Sequence, residues 1–220
     1  MSTTRPPDGR RADAPARPLC VKICGLTRAA DVAAAIEAGA DLLGFNFYAS
    51  SPRYVAIAEA ATLIRMLPRR VLAVGIFVDP AADDVRRAID AGVHLLQFHG
   101  DETAAFCGSF AVAAMKALRV RRLGDLAAAA RVYPEDWWLL ADTADERLHG
   151  GSGRALAAEP IDAGLARRLF LAGGLTPESV AAAVRTLRPL GVDVCSGVED
   201  RPGRKNHALL RAFVSHAKAA

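Results

Sequence analysis

The sequence predicts a single-domain α/β protein folded as a (β/α)8 TIM barrel, and three observations carry that expectation. From Leu19 onward, short apolar runs alternate with segments of alanine, leucine and charge, the pattern of parallel strands joined by crossover helices. Eight runs and eight segments can be counted within about 200 residues, the size of a compact barrel. Glycine and proline punctuate the boundaries where helices are expected to begin and end. An open doubly wound sheet is the rival architecture.

In chain order, the strands are expected over 20–24, 42–47, 71–78, 95–99, 113–118, 137–142, 169–172 and 192–196. The helices are expected over 29–38, 57–67, 81–91, 102–110, 123–132, 161–168, 177–187 and 206–218. Thr27 offers an N-cap to the first helix, and Asp79-Pro80 and Thr176-Pro177 each offer a cap followed by proline at the first helical position. Gly39, Gly92 and Gly191 stand just before strands, where a helix C-terminus favours glycine. Residues 1–18 are rich in proline, arginine and alanine without apolar periodicity, which reads as a disordered tail ahead of a barrel domain at 19–220.

Composition narrows the function. Apolar residues make up 52% and charged residues 24%, with a net charge of +4, ordinary usage for a soluble globular domain. Much of the basic excess sits in the tail as Arg5, Arg10, Arg11 and Arg17, with no basic stripe interleaved with aromatics, so nucleic acid is not an expected partner. The four cysteines lack paired zinc spacing, and the chain is large enough to fold without disulfides. With no apolar run of membrane-spanning length and no signal-peptide core at the N-terminus, the expectation is a cytoplasmic protein, monomer or homodimer, with no membrane partner.

In such a barrel the chemistry collects at the C-terminal strand tips, which carry Cys24, Asn46, Asp79, His99, Lys116, Asp142, Gly173-Gly174 and Ser196-Gly197. Plain structural roles compete. An isolated cysteine is usually a small buried hydrophobe, Asp79 suits a helix cap, Lys116 suits solvent, and Gln97 and His99 suit a hydrogen-bonded pair at the rim. The glycine clusters are more telling together. Gly151-Ser152-Gly153, Gly173-Gly174 and Ser196-Gly197 fall at three adjacent tips, where converging backbone N–H groups form a phosphate site.

Seven blocks then carry a resemblance, in order and spacing from about Val21 to the end. They are KICGL from Lys22, GFNF from Gly44 with SSPRYV from Ser50, LQFHGDE from Leu96, LADT from Leu140, GGSG from Gly150, LAGGLTP from Leu171 and GVDVCSGVE from Gly191. Together they resemble the phosphoribosylanthranilate isomerase family of tryptophan biosynthesis. The resemblance implies an Amadori rearrangement of N-(5-phosphoribosyl)anthranilate to 1-(2-carboxyphenylamino)-1-deoxyribulose 5-phosphate, without metal or organic cofactor. It also implies Cys24 as general base, Asp142 as general acid and Arg53 as partner of the anthranilate carboxylate, with His99 and Asp193 as further candidates for substrate contact. The chain departs from the family pattern at Cys195, where serine is common, at Arg154 to Ala157, and in its tail.

The chemistry is consistent with two groups. Opening an aminofuranose needs a proton on the ring oxygen, and shifting the double bond needs a proton removed from C2. A carboxyl acting as acid at neutral pH should have a raised pKa, and a thiol acting as base a lowered one. The rivals are the analogous isomerase of histidine biosynthesis, expected to use two carboxylates, indole-glycerol-phosphate synthase, expected to use lysines, and a non-catalytic phosphate-ligand binder.

Overall fold

The computed structural model describes residues 18–120, 126–143 and 161–220. The tail expectation over 1–18, apart from Pro18, and the glycine cluster at 150–153 lie outside the described residues. The strands are β1 (Cys20–Ile23), β2 (Leu42–Asn46), β3 (Leu72–Phe77), β4 (Leu95–Phe98), β5 (Ala113–Val120), β6 (Trp138–Thr143), β7 (Leu169–Ala172) and β8 (Gly191–Val194). They pair in parallel around a closed barrel, β8 returning to β1, so the open-sheet alternative is excluded. Helices α1 (Ala29–Ala38), α2 (Ile57–Ile64), α3 (Ala82–Asp90), α4 (Ala104–Cys107), α5 (Leu126–Ala130), α6 (Ala163–Ala166), α7 (Val180–Leu187) and α8 (His207–Lys218) alternate with the strands. A short antiparallel hairpin, β9 (Glu199–Arg201) and β10 (Arg204–Lys205), precedes α8 and was not foreseen from sequence.

Several expected caps do other work. Thr27 Oγ1 donates to Gly203 O at 2.8 Å instead of capping α1. Asp79 takes a left-handed conformation, and its Oδ1 accepts from Asp101 N at 2.8 Å, while α3 begins after Ala81. Thr176 and Pro177 lie in a turn, and α7 begins after Ser179. Gly39 does end α1, with φ of 89° and its N–H satisfied by Ala35 and Ile36 carbonyls. Gly191 serves packing instead, since a Cβ there would lie 2.3 Å from Phe170 Cε1 and 2.7 Å from Cys20 O. The fourth helix is much shorter than expected because Glu102, assigned to its first turn, is drawn under the barrel wall to Lys116 at 2.8 Å.

Alternation along the strands sorts side chains into an interior and an outer shell. Leu42, Val74, Leu95, Met115, Ala117, Leu140 and Phe170 form the buried interior cluster. The larger cluster, including Val21, Ile23, Phe45, Phe98, Phe213 and Val214, packs the outer strand faces against the helices. Phe170 is fully buried with its ring centroid 5.3 Å from that of Trp138. Phe170→Ala should cost about 3 to 5 kcal/mol, the range for losing a buried ring. Urea unfolding of the two proteins measures this, and a loss below about 1 kcal/mol would show that the interior collapses to fill the space.

Candidate active site

A cavity of about 320 Å³ opens at the C-terminal strand ends. Every candidate residue that is described lines it: Cys24, Arg53, His99, Asp142, Gly173, Gly174, Asp193, Ser196 and Gly197. The candidates Gly151, Ser152 and Gly153 lie outside the described residues. Lys116 does not belong to this group. It follows the outward-facing parity of β5 and is buried, its Nζ bonding Glu102 at 2.8 Å and Gly100 O at 2.6 Å. Glu102 also accepts from the N–H groups of Asp79 and Gly100, so this outer pair braces the β3 and β4 rims.

Lys22 and Cys24 are two apart on β1 and so face the interior together. Lys22 is fully buried, and its Nζ lies 3.0 Å from Asp193 Oδ1 on β8. Burial of Lys22 disfavours its charge, but Asp193 and Cys24 outweigh that and raise its pKa. Burial pushes Asp193 up to about 7 against the pull of Lys22. The Cys24 thiol is held well below its ordinary range, first by a hydrogen bond from Cys195, then by the charges of Lys22 and Lys205, which together outweigh burial. The thiolate is therefore supported by lysines, one beneath it and one beside it.

Arg53 reaches the cavity from the loop after β2. Asn46 Nδ2 donates to Ser51 Oγ at 3.1 Å, and Ser51 Oγ accepts from Arg53 N at 3.2 Å, which fixes the loop. Arg53 Nε lies 3.0 Å from Glu199 Oε1 and Nη2 lies 2.6 Å from Oε2, so Nη1 remains for a ligand. Glu199 also accepts from Lys205 Nζ at 2.8 Å. Burial alone would raise the Glu199 pKa, yet its bonds to Arg53 and Lys205 hold it low. Neither Lys205 nor the ion-paired role of Glu199 was anticipated; both arise from the β9–β10 hairpin folding back over β8.

Across the cavity, His99 Nε2 lies 3.1 Å from Asp142 Oδ2. The hydrogen bond from His99 holds the Asp142 carboxyl below the usual range despite burial. This corrects the expectation of a raised pKa, because the sequence did not reveal that β4 and β6 would bring His99 to Asp142. The suggested Gln97–His99 pair is not formed. Gln97 is buried, lines the cavity, and its Oε1 has no hydrogen-bond partner among the described residues.

The two described glycine tips lie together at the mouth. Gly173 and Gly174 have φ of 88° and 65°, a conformation that glycine adopts without strain. A Cβ on Gly197 would lie 2.0 Å from Leu175 O, so the loops after β7 and β8 meet in a contact only glycine permits.

A closed eight-stranded barrel with a thiol, a carboxyl and glycine loops converging at its C-terminal mouth is an enzyme of the (β/α)8 class. Comparison with known proteins then specifies which one. The family model for N-(5'-phosphoribosyl)anthranilate (PRA) isomerase matches residues 21–216, and the chain belongs to that family. It is 48% identical over 195 residues to the N-(5'-phosphoribosyl)anthranilate isomerase of Pseudomonas fluorescens strain Pf0-1, covering 88% of this chain and 96% of the relative. Its structure is similar to the phosphoribosyl anthranilate isomerase of Thermotoga maritima, with a TM-score of 0.80 at 32% identity over 92% of this chain and all of that one. A phosphoribosyl anthranilate isomerase solved with reduced 1-(o-carboxyphenylamino)-1-deoxyribulose 5-phosphate matches at a TM-score of 0.76 and 33% identity, over 92% of this chain and all of that one.

The lysine support can be tested in the ligand-free enzyme. Replacing the pair together, Lys22→Met with Asp193→Asn, avoids leaving one charge buried alone. Iodoacetamide labelling localised to Cys24 by mass spectrometry should slow roughly tenfold or more at neutral pH and recover as pH rises, the scale expected when a nearby charge is lost. An unchanged rate profile would assign the thiolate to other groups.

Proposed function

We propose that Cys24 and Asp142 divide the proton transfers of the family's reaction between them, with the sugar phosphate anchored at the loops after β7 and β8. The activity is the Amadori rearrangement of N-(5'-phosphoribosyl)anthranilate, an aldose–ketose isomerisation of tryptophan biosynthesis. The observation that carries the division of roles is the placement of a lysine-supported thiol on β1 and a carboxyl on β6 along one cavity, with the glycine tips of β7 and β8 between them.

Asp142 delivers a proton to the ring oxygen, the C–O bond opens, and the anilino nitrogen takes up the resulting positive charge as an iminium. The Cys24 thiolate then removes the C2 proton, and the enolamine tautomerises to the ketose. His99 draws Asp142 toward its ionised form before substrate arrives. Negative charge on the bound phosphate and on Cys24 favours protonated Asp142, so acidity at the right atom is set by the ligand itself. Arg53, held at Nε and Nη2 by Glu199, offers Nη1 to the anthranilate carboxylate. Asp193, tied to Lys22 and lining the cavity, and His99, tied to Asp142, are positioned to meet the sugar hydroxyls. Backbone N–H groups around Gly173, Gly174, Ser196 and Gly197, with Gly151, Ser152 and Gly153, form the phosphate site of this reading.

Cys24→Ser should lose at least about 10² in kcat because a neutral hydroxyl is a poor proton acceptor, and Asp142→Asn should lose as much by leaving ring opening without its acid. Affinity for a reduced product analogue should change little in both. Retained turnover in either variant removes that residue from its role, and affinity lost in step with turnover points to damaged structure.

Arg53→Ala should cost roughly 2 to 4 kcal/mol in kcat/KM, the range for a truncated buried charge pair. The loss should be much smaller with an aniline analogue lacking the carboxylate. Equal losses on both substrates would place Arg53 outside carboxylate recognition.

A further inference from the structure

The register that closes the barrel pairs Cys20 with Gly191, Val21 with Val192, Lys22 with Asp193 and Ile23 with Val194. Cys24 N continues the ladder to Val194 O at 2.9 Å, so the following rung sets Cys24 opposite Cys195. Neighbouring strands run about 4.8 Å apart, and a disulfide bridges Cα separations of about 4.4 to 6.8 Å. The sulfurs occupy this rung closely. A Cβ on Gly25 would sit 3.0 Å from Cys195 Sγ, and one on Gly44 would sit 3.2 Å from Cys24 Sγ. Both thiols line the cavity, where a small solute reaches them.

We propose that Cys24 and Cys195 form a peroxide-oxidisable pair that closes into an intramolecular disulfide across the β1–β8 seam. The Cys24 thiolate attacks a hydroperoxide oxygen; the S–O bond forms, the O–O bond breaks, and Cys24 becomes a sulfenic acid while an alkoxide or hydroxide leaves. Cys195 gives its proton to that base and attacks the Cys24 sulfur; the S–S bond forms, the S–O bond breaks and water departs. Two thiols are oxidised and one peroxide is reduced, with nothing else consumed.

The surrounding charges suit each step. Lys22 and Lys205 favour the Cys24 thiolate. Lys205 Nζ lies 3.7 Å from Cys195 Sγ, and Glu199 Oε1 lies 3.9 Å from it, giving the second thiol both a cation and a proton acceptor. The other cysteines stand apart. Cys20 is at the opposite end of β1, and buried Cys107 is pushed up to about 11 by desolvation. The linkage is independent of the proposed catalytic roles; only its effect on turnover rests on Cys24 being the base.

The test treats the full-length protein with hydrogen peroxide and follows free thiols, peptide masses and isomerase turnover together. Two of the four thiols should disappear in a Cys24–Cys195 linked peptide, with turnover falling at least roughly tenfold and returning on dithiothreitol. Cys195→Ser at the same dose should instead carry sulfinic acid at Cys24 and stay inactive after dithiothreitol. A wild type in which Cys24 is oxidised to sulfinic acid with no linked peptide overturns the proposal, as does one in which Cys24 resists peroxide. A linked peptide with undiminished turnover upholds the pair and overturns the assignment of Cys24 as base.

Discussion

The barrel closes where its first strand meets its last, and that seam contains a buried ion pair. Lys22 and Asp193 face each other across one rung of β1 and β8 at 3.0 Å. Either charge alone would be costly to bury; together they make the closure specific to one register, since sliding by a residue would set Lys22 against Val192 or Val194. The same rung sets the level of the chemistry. Cys24 emerges one inward step above Lys22, so the interaction that fixes the register also supplies the field around the thiol.

A second set of charges lies above the seam. The β9–β10 hairpin brings Lys205 and Glu199 over the end of β8, and Glu199 grips Arg53 from the β2 loop. Buried Asp31 of α1 anchors the arrangement from outside, accepting from Lys205 N at 3.2 Å and meeting His207 Nε2 at 2.8 Å. Arg53 is thus oriented by residues nearly 150 positions away. A side chain with many rotamers becomes a preset donor, which reduces the ordering required when a carboxylate binds.

Much of this was legible in the sequence because strand tips can be counted. Cys24, His99 and Asp142 continue the inward alternation of β1, β4 and β6, so the fold class and the cavity residues follow from the same period of two. Lys116 shows where the reading stopped short: its parity on β5 points outward, and counting from the interior residues Met115 and Ala117 would have removed it from the site. Other features had no local signal. Glu102 left its helix for Lys116, and Thr27 gave up its cap for Gly203 O, because tertiary partners offered buried charges and carbonyls a better match than the nearest backbone N–H. Lys205 lies in a hairpin of five and fewer residues whose strands are too short for any periodicity to mark. The direction of the Asp142 shift depended on a partner 43 residues away, beyond what spacing alone conveys.

The interior packing beneath the site also governs traffic. Phe170, Met115, Leu140 and their neighbours fill the barrel below the reacting groups, and Gly191 is kept free of a side chain so that the Phe170 ring fits. There is no passage through the floor, so arriving and departing molecules use one doorway. A spent ligand held by its phosphate blocks that doorway until it lets go. Inhibition by product is then strictly competitive with substrate, and a tighter grip on the phosphate, useful for capture, slows the clearing of the site.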